Sequence, residues 1–146
     1  MTEADTNRGL QRIAKVLQVM PFSLQLGMEL VEAGEGWVKV RLPFKKENTT
    51  AADALHGGAI ASLIDTTGSM AAWTTSEIGN QRYFGSTVGI TVNYLSGILG
   101  MDCVAEGRVL KRGKEIIYSD VRVTDAEGKL CAQGTVVYRI IDRGER

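Results

Sequence analysis

The period of the apolar residues changes several times along the 146-residue chain, and each change marks an element. Leu10, Ile13, Ala14 and Leu17 recur at helical spacing and predict a short amphipathic helix around Leu10 to Met20, stopped by Pro21. From Phe22 the period falls to two. Phe22, Leu24, Leu26, Met28 and Leu30 alternate with Ser23, Gln25, Gly27 and Glu29, which predicts a strand. The segment AGEG at Ala33 to Gly36 predicts a turn, and Val38, Val40 and Leu42 then alternate with Lys39 and Arg41 as the hairpin partner. Pro43 and KKENTT leave the sheet.

The stretch from Leu55 to Ile78 is too long for a strand, and its Ala, Leu, Ile and Met content predicts a helix starting just after HGG. Thr87 to Leu95 alternates again, with Val88, Ile90, Val92 and Tyr94 on one face. Cys103 to Leu110, Ile116 to Thr124 and Leu130 to Ile141 read as strands, separated by KRGK at Lys111 and DAEGK at Asp125. One long apolar helix among five or six antiparallel strands is buried most economically by a sheet that curls around it. The expected fold is α+β, a single domain over 1–146 with residues 1–21 as N-terminal helix and cap. A long edge strand calls for cover by a second subunit, so a homo-oligomer is expected.

Composition narrows the function. Seventeen Lys plus Arg balance 17 Asp plus Glu, leaving no net charge to attract nucleic acid. A hydrophobic fraction of 44% with only two prolines is that of a folded domain. No run approaches the roughly 18 apolar residues of a membrane span. The charged start MTEADTNRGLQRIAKVLQVM has no apolar core of a secretory signal, which predicts a cytoplasmic protein. Cys103 and Cys131 lie far apart and the chain has one histidine, so two reduced thiols are expected and no zinc or other metal site.

Chemistry concentrates in LHGGAIASLIDTTGSMAAW, Leu55 to Trp73. Gly57 and Gly58 let a ligand approach the backbone where the first helical N–H groups lack partners, and the helix dipole adds positive character there. Such a place suits an oxyanion, although HGG also suits an ordinary Gly-rich helix start. Asp65 is the only charged residue between Asp53 and Glu77, and sits mid-helix where it cannot be an N-cap. Ser62, Asp65, Thr66 and Ser69 form one polar stripe. A solvated face usually carries Lys, Glu and Gln, whereas one carboxylate among small hydroxyls suits a partly enclosed site with a base. His56 reads first as an orienting group. No G-x-S-x-G elbow supports a Ser-His-Asp triad, and no phosphate-binding glycine loop is present.

With HGGAIASLIDTTGSMAA on the central helix and STVGITVNYLSGI at Ser86 to Ile98, the sequence resembles the hotdog-fold acyl-CoA thioesterases of the phenylacetate-pathway (PaaI-like) type. The resemblance implies a helix wrapped by an antiparallel sheet, a dimer with a continuous sheet, and often a dimer of dimers. It places the acidic catalytic residue on Asp65, the oxyanion-hole N–H on Gly57 and a water-placing hydroxyl on Thr87, with Gly57 and Asp65 of one site contributed by different subunits. Two departures stand out. Many members carry Asn where this chain has Thr50, and members usually have Gly where it has Asp53.

The leading expectation is therefore hydrolysis of an acyl-CoA thioester, with Asp65 as base or nucleophile and Gly57 N–H stabilising the oxyanion. CoA belongs to the substrate, and no cofactor is expected. Thr50, Gly58 and Ser62 are expected on the substrate, with Arg112 and Lys114 near the nucleotide end of CoA. Trp73, Phe84, Ile60 and Leu63 either line the acyl pocket or belong to the core. A non-catalytic acyl-CoA sensor and a hotdog hydratase or dehydratase are the alternatives.

Overall fold

The computed structural model describes residues 2–76 and 81–144. Helices α1 (Glu3–Val19) and α2 (Pro21–Leu26) lead into the hairpin β1 (Glu29–Gly34) and β2 (Trp37–Leu42). Two short 3₁₀ turns precede α3 (Gly57–Trp73), followed by β3 (Tyr83–Tyr94), β4 (Cys103–Arg112), β5 (Ile116–Asp125) and β6 (Leu130–Asp142). The six strands form one antiparallel sheet in the order β1-β2-β4-β5-β6-β3.

The sheet curls around α3, as the long helix and the strand periods predict. Ile60, Leu63, Ile64, Met70 and Ala71 of α3 are buried against Val38, Val40, Val121, Val123 and Val136. Close approach has a backbone cause. A Cβ on Gly68 would lie 2.5 Å from Val136, and one on Gly107 would lie 3.0 Å from the Thr67 carbonyl, so both glycines let the helix settle on the sheet. One row of the outer face is polar across all six strands. Along this row of register partners, Lys39 lies 3.7 Å from Glu32 and 3.8 Å from Glu106, and Asn93 Nδ2 donates to Gln133 Oε1 at 3.0 Å. Ile60 and Leu63 thus belong to the core, while Trp73 is half-buried and Phe84 exposed.

One element is corrected. Pro21 does not stop the chain ahead of a strand from Phe22; it is the first residue of a second helix, where its missing N–H costs nothing. Alternation there is coincidental: Phe22 and Leu24 are both exposed, and Gly27 at φ +85° ends the turn before β1 begins at Glu29. The N-terminal helix itself starts earlier than predicted, and Ile13 and Leu17 bury its apolar face. The Leu10 side chain and Ile78, the predicted end of the long helix, lie outside the described residues.

A second correction concerns phase in β3. Thr87 pairs with Tyr138 and Gly89 with Val137, so Val88 is an extra residue in a β-bulge. Val88 therefore does not share a regular face with Ile90, Val92 and Tyr94. Below the bulge the inward phase passes to the odd positions, which turns Thr87 toward the helix.

Candidate active site

The approach to α3 is held by main-chain bonds. His56 N–H donates to the Asn48 carbonyl at 2.8 Å and Leu55 N–H to that of Ile98 at 2.9 Å. His56 is the N-cap, extended at φ −62° and ψ 134°, and its Nδ1 accepts from Gly58 N–H at 2.7 Å. Its carbonyl accepts from Ala59 and Ile60 N–H at 2.9 and 3.1 Å. Three of the four amides at the helix start are thereby satisfied. Among the described residues Gly57 N–H makes no hydrogen bond, and it stands at the positive end of the helix.

Asp65 sits two turns further on, half-buried. Its Oδ1 accepts a 2.7 Å hydrogen bond from Thr87 Oγ1 on β3. Among the described residues Oδ2 has no hydrogen-bond partner. Ser62 and Ser69 satisfy themselves inside the helix: Ser62 Oγ donates to the Gly58 carbonyl at 2.7 Å, and Ser69 Oγ to that of Asp65 at 2.8 Å. Small hydroxyls bonded back to the helix leave the Asp65 carboxylate as the one charged acceptor on the stripe.

Tyr94 completes the helix start. Its hydroxyl donates to the Gly57 carbonyl at 2.9 Å, and its ring lies where a Gly57 Cβ would meet it at 3.5 Å. The sequence pattern places Tyr94 only on a strand face, and nothing in it marks the main-chain carbonyl that the hydroxyl reaches. Tyr138 is a second addition. It is buried opposite Thr87 and accepts a hydrogen bond from Trp73 Nε1 at 3.0 Å, and burial raises its pKa above the usual tyrosine value.

The remaining sequence-selected residues lie on the turns before α3 and at the turn from β4 to β5. Thr50 Oγ1 lies 3.1 Å from the Ala51 carbonyl and 3.2 Å from that of Ala54, so its hydroxyl is engaged within its own turn. Asp53 holds φ +57°, the left-handed region that glycine occupies without steric cost. Arg112 donates to the Gly113 and Lys114 carbonyls and, at 3.1 Å, to Ser76 Oγ; Lys114 is exposed beside it. Among the described residues no three metal-ligating side chains gather, and no helix is long and apolar enough to cross a membrane.

A six-stranded antiparallel sheet wrapped around one central helix is the hotdog fold. The sequence profile of the Thioesterase superfamily matches residues 53–132, and the chain belongs to that family of thioester hydrolases. It is 37% identical over 131 residues to Acyl-coenzyme A thioesterase 13 of Homo sapiens, covering 85% of this chain and 91% of the relative. The Mus musculus protein of the same name is 30% identical over 131 residues, covering 87% and 91%. In fold, the PaaI protein of the E. coli phenylacetic acid degradation operon superposes with a TM-score of 0.82 at 18% identity, covering 93% of this chain and 95% of that one. A thioesterase family protein from Silicibacter pomeroyi gives 0.84 at 20% identity, covering 92% and 98%.

Proposed function

We propose that the protein hydrolyses an acyl-CoA thioester to the free acid and CoA, in the cytoplasm and without a cofactor or metal. One observation carries the reading: the same helix presents an amide at Gly57 that is unpartnered among the described residues and a carboxylate at Asp65 held through one oxygen by Thr87. Names of the human and mouse relatives support acyl-CoA as the substrate class.

Thr87 fixes Oδ1, so Oδ2 faces the reaction as general base or as nucleophile. In the base route Oδ2 takes a proton from water, the water oxygen bonds to the thioester carbon, and Gly57 N–H stabilises the oxyanion. Collapse breaks the carbon–sulfur bond, and CoA leaves as a thiolate that takes up a proton.

The site is shared between two copies of the chain. Eight residues along a helix span roughly 12 Å, so a carbonyl bound at Gly57 N–H lies beyond the same chain's Asp65. Two-fold pairing brings one chain's Gly57 to the other's Asp65. The 12-residue edge strand β3 offers the surface, with Val88, Ile90 and Tyr94 all exposed. Thiol release from a panel of acyl-CoAs tests the reading. Wild type is expected to release CoA, and Asp65→Asn to lose about 10²–10⁴-fold in kcat while keeping its fold. Equal turnover in the Asn variant, or no release from any acyl-CoA, overturns it.

A further inference from the structure

We infer that Tyr94 is a positioning residue for this hydrolysis, acting through a single peptide unit to set both the His56 ring and the Gly57 amide. The inference rests on the reading of the site given above. Tyr94 O–H donates to the Gly57 carbonyl at 2.9 Å, and the N–H of that same peptide unit, carried by Gly58, donates to His56 Nδ1 at 2.7 Å. A donor on an amide oxygen polarises the N–H at the other end of the unit, so the two bonds strengthen each other.

The consequence for His56 is a fixed tautomer. A neutral imidazole that accepts on Nδ1 carries its hydrogen on Nε2. The exposed ring therefore keeps an Nε2–H donor available at the helix start. For Gly57 the consequence is orientation. With no side chain of its own, its backbone is held by the phenol bound to its carbonyl, and the Tyr94 ring lies 3.5 Å from where a Cβ would stand. The direction of Gly57 N–H follows from this anchoring.

Nothing in the core needs the hydroxyl. Tyr94 is 54% exposed, and a helical carbonyl already accepts from the amide four residues on, so the phenol occupies its second lone pair. The hydroxyl reaches from a sheet edge to the first turn of a helix.

Tyr94→Phe tests the inference. In the full chain kcat for acyl-CoA hydrolysis is expected to fall about five- to tenfold, the size of one net hydrogen bond, with KM within about twofold. Nitrogen-15 NMR of the ring is expected to show the Nε2–H tautomer in wild type and a mixture of tautomers in the variant. Lys39→Ala, on the outer face of β2 and away from the β3 edge, is expected to leave both readouts unchanged. An unchanged kcat with an unchanged tautomer overturns the inference, as does a loss of turnover that only follows the folded fraction measured by circular dichroism. Should wild type release no thiol, the hydrolysis reading fails while the tautomer still decides this one: a ring unaltered by Tyr94→Phe refutes the relay.

Discussion

Thr87 reaches Asp65 because Val88 is bulged out of the ladder between β3 and β6. Strict alternation with Ile90, Val92 and Tyr94 would put Thr87 on the outer face, whereas the extra residue turns its hydroxyl inward to Asp65 Oδ1 at 2.7 Å. Thr87→Val keeps the shape and removes the donor, leaving both carboxylate oxygens free to rotate. Its kcat is expected to fall about tenfold or more, and Thr87→Ser to recover most of the loss, in a steady-state thiol-release assay.

Gly57→Pro isolates the amide. Proline suits the first helical position, and His56 already has the extended backbone that a residue before proline adopts. The substitution removes one N–H that binds nothing within the described residues. Turnover is expected to drop about 10²–10³-fold, the usual cost of losing an oxyanion donor, with the thermal midpoint unchanged or raised. Full activity would remove Gly57 from the mechanism.

Much of this architecture is legible in the sequence because burial imposes a period. The apolar run after HGG is long and continuous, so a long helix follows from it, although the helix takes in Gly57 and Gly58 and ends at Trp73, short of the predicted end; the strands β2, β4, β5 and β6 follow from clean alternation. Two misreadings share one cause, which is that alternation counts positions without knowing what faces the core. Residues 21–26 alternate inside a short surface helix, and β3 changes phase at a bulge that no composition marks. In the site, Asp65 is visible as a lone charge on an apolar helix. Tyr94 is not, because its partner is a main-chain carbonyl that sequence does not distinguish from any other. The tilt of Asp53 into the left-handed region is likewise a tertiary fact.

The buried thiols give a prediction on pH. Burial pushes the Cys103 thiol up to about 12, with further upward contributions from Cys131, Asp102 and Asp125. An unfolded chain releases that proton near about 8.5, so between these values the unfolded state binds fewer protons than the native state. Stability from this group is complete below about 8.5 and is lost as pH rises toward 12. Urea midpoints are expected to fall with alkaline pH more steeply in wild type than in Cys103→Ala; parallel slopes would contradict the assignment.

The central claim, a thioesterase site shared between two chains, is tested most directly by mixing two inactive proteins. Asp65→Asn and Gly57→Pro homodimers each lack one half of every site. After subunit exchange at equal concentrations, half of the dimers are mixed, and each mixed dimer holds one site with both groups intact. Acyl-CoA hydrolysis is expected to return to about one quarter of the wild-type rate. Activity that stays at the average of the two parent variants would mean that Gly57 and Asp65 do not meet across a subunit boundary.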